Sequence, residues 1–211
     1  LSYRLVVDPG LPWAVEGAAL WEVLAAYGGT VLAMISALRL MAGEERRSPR
    51  VFLESGAAAS AALLANVLIT RWLTQGATDD WLISHWGASL NAMPWLILML
   101  VQLYRLALGG ALRWFRIALA VVAGLIAAAG IGAAVGPLNP LAGLTGGREG
   151  LVHGPYLFDT LLAAYGLPAA LILAAVPWLT ALWRQARLAL AAIGLALAAL
   201  WLALEIRRFW Q

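Results

Sequence analysis

Trp114 to Val135 reads WFRIALAVVAGLIAAAGIGAAV, and beyond Arg116 no residue in it carries a polar side chain. A run near twenty apolar residues is the length an α-helix needs to cross a hydrocarbon core about 30 Å thick. In lipid every backbone amide and carbonyl must be satisfied within the segment, so such a run has to be helical. Barrel strands would be short and alternating. This chain has no such pattern.

Working outward, comparable runs recur on both sides. The spans predicted from them are Leu20–Met41, Val51–Leu73, Ala88–Leu108, Trp114–Val135, Tyr156–Leu182 and Leu188–Trp210. Composition agrees: 63% of residues are hydrophobic and 12% charged, against about a quarter charged in soluble domains. The mean hydropathy is +0.84. The expected fold is therefore all-α, a polytopic transmembrane helix bundle of about six spans. Trp13, Trp21, Trp72, Trp81, Trp86, Trp114, Trp183 and Trp210 fall near the predicted ends, where an interfacial aromatic belt belongs.

The net charge of +3 does not point to nucleic acid, because the arginines cluster in short loops between spans. Arg39, Arg46, Arg47 and Arg50 mark the first loop, Arg105, Arg113 and Arg116 the third, and Arg184 and Arg187 the fifth. Basic loops face the cytoplasm, so both ends of this segment are expected to be extracytoplasmic. The absence of cysteine excludes disulfides, thiolate catalysis and cysteine-held metals.

An internal repeat organises the chain. Asp8-Pro9 is followed by Val23-Leu24-Ala25-Ala26-Tyr27-Gly28, and Asn139-Pro140 by Leu161-Leu162-Ala163-Ala164-Tyr165-Gly166. Tyr27 and Tyr165 lie 138 positions apart, Arg71 and Arg208 137. A shared offset between unrelated landmarks predicts a parallel repeat of about four spans. Residues 1–136 would form the first unit, opening on the tail of a preceding span (Leu1–Val7), and 137–211 an incomplete second. The chain is accordingly expected to be part of a longer parent, whose remaining spans would be its partners together with the bilayer.

At these residues the chain resembles a family of large bacterial inner-membrane proteins, domain-of-unknown-function family 2339. The resemblance rests on Asn139-Pro140, on Asp159-Thr-Leu-Leu-Ala-Ala-Tyr-Gly-Leu-Pro168 and on Leu204-Glu205-Ile206-Arg207-Arg208-Phe209. It implies an inner-membrane location and a long, many-spanned parent, and supplies no activity. In the first copy Trp21 stands where Asp159 does in the second, with Glu22 beside it.

Three sets of residues are candidates for function. Tyr27 and Gly28, and Tyr165, Gly166 and Pro168, interrupt two helices at matching depths; paired interruptions of this kind mark transporter binding sites, and otherwise serve as packing kinks. Glu22, Asn66, Arg71, Asn91, Asp159, Glu205, Arg207 and Arg208 fall in the outer halves of their spans. Polar groups at that depth must pair or line a wet cavity. Glu205 is expected within ion-pair reach of Arg208, three along on one face, or of an arginine on a neighbouring helix. Asp79, Asp80 and His85, with His153 in the next outer loop, form a weaker divalent-metal set lacking zinc-type spacing. No phosphate-binding glycine loop, serine elbow or HExxH motif is present, and no cofactor is expected. Two structural readings complete the set. Gly124, Ala128, Gly132 and Gly136, one per turn, predict a tight helix interface, and Glu54 is expected to pair with the basic loop. The reading that follows is a transport or envelope-scaffold component. The alternative is a membrane enzyme acting at the periplasmic face on a lipid-linked or amphipathic substrate.

Overall fold

The computed structural model describes residues 17–41, 47–74, 84–107, 112–140 and 152–210. Trp13, Asp79, Asp80, Trp81, Asp8-Pro9 and the Leu1–Val7 segment lie outside them. The described residues contain no strand. Six helices run in order: α1 (Leu20–Leu40), α2 (Arg47–Thr74), α3 (His85–Ala107), α4 (Arg113–Val135), α5 (Leu162–Trp178) and α6 (Arg184–Phe209).

Five of these helices are long and apolar enough to cross a membrane. The fifth in sequence, α5, is shorter, which corrects the predicted 156–182 span at both ends. Residues 152–159 form a loop, because Pro155 and the capping carboxylate of Asp159 delay helix entry. At the other end Val176–Trp178, around Pro177, tightens into a 3₁₀ turn.

Helix α3 is the axis of the bundle: α2, α4 and α5 all pack on it, and His85, Ser89, Leu96, Leu98 and Gln102 along its length are buried. Its neighbours keep large apolar side chains outward. Leu32 of α1 and Leu125 of α4 are about two-thirds exposed, as lipid-facing residues are. Trp21, Trp72, Trp114, Trp183 and Trp210 lie exposed at helix ends, as an interfacial belt requires. Trp86 departs from that expectation. It is buried, edge-on to Trp72 with ring centroids 5.8 Å apart.

Among the described helices the α3–α4 contact is the most extensive. A Cβ on Gly130 would lie 2.8 Å from Ala92 Cβ and 2.9 Å from the Ala88 carbonyl, so only glycine permits this approach. Ala120, Ala123, Ala127 and Ala134 complete the buried face. The small-residue row proposed from sequence is therefore not that interface. Gly124 meets Met99, but Ala128, Gly132 and Gly136 are exposed. With Ile193 and Leu197 of α6, its first three members, Gly124, Ala128 and Gly132, instead line an open apolar cleft of about 420 Å³. Spacing identifies a stripe of small residues; which of two adjacent faces meets α3 depends on the partner's shape.

Candidate functional site

Both LAAYG segments, Leu24–Gly28 and Leu162–Gly166, form π-helical turns. The chain does not break at either. A π turn holds one more residue per turn than an α turn and often occurs at functional positions. In α5 its cause is visible: Pro168 has no amide to donate to the Ala164 carbonyl four residues back. The Ser89 hydroxyl of α3 donates to that carbonyl instead, at 2.7 Å. In α1 the Thr30 hydroxyl donates to the carbonyl of Ala26 at 2.8 Å. Both carbonyls thus have protein donors, and Tyr27 and Tyr165 are turned into the core. The Tyr165 hydroxyl donates to the Ala134 carbonyl at 2.8 Å, tying α5 to the end of α4. A Cβ on Gly28 would meet Leu64 at an ordinary 3.8 Å, whereas one on Gly166 would lie 2.5 Å from Leu162 and 3.4 Å from Trp201.

Around the second π turn the polar residues converge. Asp159 Oδ1 accepts from the amides of Leu161 (2.8 Å) and Leu162 (3.1 Å), capping α5. Its Oδ2 accepts from Arg208 of α6 at 2.6 Å, and the Asp159 side chain is fully buried. The other Arg208 nitrogen donates to the Gly154 carbonyl at 2.8 Å, and the guanidinium lies 5.0 Å from the Tyr156 ring centre. The loop that presents this carbonyl bends through Gly154 at φ +112° and Leu157 at φ +68°. A side chain on Gly154 would strike Asp159 and Phe158.

Glu205 does not pair with Arg208, contrary to the expectation from spacing. Three residues along one helix places two side chains on one face but says nothing of a stronger partner on the next helix. Asp159 takes the guanidinium. Glu205, 6% exposed, stands against the Asp159 carboxyl and the Leu157 backbone, and its Oε1 has no hydrogen-bond partner. His85, which feels the Asp159 charge, stacks on Tyr165 with ring centroids 6.1 Å apart. It is 1% exposed, and its Nε2 also lacks a partner. Sequence placed His85 with loop carboxylates in a metal set; the structure seats it in the bundle. Among the described residues no three His, Asp or Glu side chains gather as metal ligands.

The remaining candidates separate into two groups. Asn66 and Thr70 of α2 donate to the Asn91 side-chain oxygen at 3.1 and 2.8 Å, a buttress between α2 and α3. Near the start of α1, Glu22 accepts from the Ala19 amide at 3.0 Å, and Arg71 of α2 donates to the Ala18 carbonyl at 2.6 Å. Arg207 is exposed. At the opposite end of the bundle Glu54 accepts from Arg50 (3.1 Å) and Arg105 (2.7 Å), with Arg116 at 3.7 Å. Here the pairing expected of Glu54 with arginines is present.

A polytopic helical bundle carrying the Asn139-Pro140, Asp159–Pro168 and Leu204–Phe209 landmarks can be set beside known proteins. The family of predicted membrane proteins DUF2339 matches it over residues 2–211. The chain belongs to that family. No curated protein and no solved structure matches it. Within this DUF2339 chain the buried, partly unsatisfied cluster of His85, Asp159, Glu205 and Arg208 is the best candidate site, because unpaired polar atoms at such depth are costly.

Proposed function

We infer that this DUF2339 chain is a transport component of the bacterial inner membrane that binds its solute at the His85–Asp159–Glu205 cluster, from the extracytoplasmic side. One observation carries the reading: Glu205 Oε1 and His85 Nε2 are buried without a hydrogen-bond partner, and both side chains feel the charge of Asp159. Buried polar atoms without partners are costly. The π-turn carbonyls, in contrast, are taken by Thr30 and Ser89 and support packing rather than binding. The orientation is supported by arginines at the opposite end, where Arg50, Arg105 and Arg116 surround Glu54. That network closes the cytoplasmic end, and a carrier opens one end at a time.

The parallel repeat, with units at 1–136 and 137–211, belongs to the same proposal. Two correspondences support it beyond the matching π turns. Hydroxyls take the Ala26 and Ala164 carbonyls, 138 positions apart. Arginines near the ends of α2 and α6 donate to the Ala18 and Gly154 carbonyls, just ahead of α1 and α5.

Native mass spectrometry of the protein in membrane-derived nanodiscs tests the assignment. A small molecule retained unchanged by the wild type and lost in Glu205→Gln, with protein abundance preserved, is expected. Chemical conversion of that molecule would favour the enzyme reading. Absence of any Glu205-dependent molecule would leave a scaffold.

A further inference from the structure

Resting on the parallel repeat and not on the solute site, we propose that the apolar cleft between α4 and α6 seats a further transmembrane helix. That helix is the third span of the second unit, supplied by the longer parent chain, and it stands to α6 as α3 stands to α2. The cleft holds about 420 Å³, and every residue lining it is apolar. On the α6 side its wall is Leu190, Ile193, Ala196, Leu197 and Leu200. Moved back by 138, the offset of the two tyrosines, these positions become Phe52, Ser55, Ala58, Ala59 and Ala62 of α2. All five are already covered there. Phe52 meets Phe115 of α4 with ring centroids 5.5 Å apart. The Ser55 hydroxyl donates to Gln102 Oε1 of α3 at 3.4 Å. Ala58, Ala59 and Ala62 pack with Trp95 and Leu98 of α3 and with Leu119 and Ala123 of α4. The face that α2 gives to the third and fourth spans of its own unit is therefore the face that α6 turns to the cleft.

Packing against the preceding helix fixes the rotation of this comparison. A Cβ on Gly56 of α2 would meet Met34 of α1 at 3.2 Å. One on Gly194 of α6 would meet Ile172 of α5 at 3.3 Å, beside Leu173 at 2.9 Å. The glycines are 138 apart, and so are Met34 and Ile172. Helix α6 thus gives α5 the flank that α2 gives α1. Across the cleft α4 contributes Gly124, Ala128 and Gly132, small residues that let a second backbone come close when packing alone drives association. Ile193 stands where Ser55 does, so the incoming helix needs no polar residue at the place of Gln102. An acyl chain in the cleft would leave the fivefold correspondence without a cause. A second copy cannot supply an α3-like helix, because that face of α3 is covered by its own α2.

Photo-crosslinking in the parent protein, kept in its native membrane, tests the seat. The probe p-benzoylphenylalanine is placed at Ala196 and, in a separate variant, at Ile193, which is 51% exposed and tolerates a large side chain. Two sites keep the test alive if one variant folds poorly. The same probe at Ala58 is the reference and should capture α3 or α4. After irradiation, peptide mass spectrometry identifies what each probe has joined. The expected product at both cleft sites is a second transmembrane segment of the same polypeptide, aligning with α3 at an offset near 138. An adduct to phospholipid, or to Met99 or Ala128 directly across the cleft, shows that no helix lies between and overturns the proposal. So does a product of doubled mass, which puts a second copy there. If Ala58 captures α3 in those cases, the docking alone has failed and the repeat stands on its other correspondences. Capture of a helix of the same polypeptide that does not align with α3 overturns the repeat and the assignment together.

Discussion

Arg208→Ala should destabilise the protein more than Asp159→Asn, although both remove the same ion pair. The asymmetry follows from exposure. The Asp159 side chain is fully buried, whereas that of Arg208 is 27% exposed. Removing the arginine strands a carboxylate that cannot reach water, and breaking a buried pair in that way costs about 3–5 kcal/mol. Removing the negative charge instead leaves Arg208 with the Gly154 carbonyl at 2.8 Å, the Tyr156 face and a path to solvent. Asparagine keeps an oxygen for the Leu161 and Leu162 amides. It also relieves Glu205 of a like-charged neighbour. The cost is then about 1–2 kcal/mol, that of one hydrogen bond weakened. Asp159→Ala falls between, adding about 1 kcal/mol for the lost helix cap. Equilibrium unfolding in mixed micelles, or steric trapping in bicelles, measures the three differences. Should Asp159→Asn prove as damaging as Arg208→Ala, the exposure reasoning is wrong and the carboxylate is sustained by something other than the guanidinium.

Four other outcomes are expected. Gly130→Ala should cost about 1–3 kcal/mol by overpacking against Ala88 and Ala92. Gly132→Ala, with nothing within 4 Å, should change stability by less than about 0.5 kcal/mol in the same assay. Ser89→Ala strands the Ala164 carbonyl and should cost about 1–3 kcal/mol; replacing Pro168 by Ala in that background should recover part of it by supplying the missing amide. A cysteine placed at Ser48, the only one in the chain, should resist an impermeant thiol reagent in intact cells and react in inverted vesicles; labelling in intact cells would reverse the orientation.

Most of the architecture was legible from apolar run length. Predicted spans one to four and six lie within a few residues of α1 to α4 and α6. The signal is strong because the bilayer imposes one length and one conformation. Span five failed where local chemistry overrode hydropathy: Tyr156, Leu157 and Phe158 are apolar enough for a helix but sit in a loop with a positive φ. The site was legible as a list of residues but not as pairings. Asp159 and Arg208 are 49 positions apart, and only the α5–α6 packing reveals that Asp159 displaces Glu205 as the partner. His85 was drawn toward Asp79 and Asp80 by sequence proximity, while its neighbours in the fold include Tyr165 of α5 and Asp159 of the loop before it. The orphaned atoms had no sequence signal, since an unsatisfied group is defined by what surrounds it.

Each π turn behaves like a single residue inserted into an otherwise regular helix. Successive α-helical positions advance about 100° around the axis, so one additional residue turns the wheel beyond it by roughly that angle. The Leu24–Gly28 and Leu162–Gly166 turns therefore change which face of α1 and α5 looks inward partway across the membrane. An alignment that removes one position from either segment would straighten the helix while swapping its lipid face for its core face downstream. Length variation at this pentapeptide is thus a phase change rather than a harmless gap, and members of the family differing there would have to repack α1 or α5 over its remaining turns.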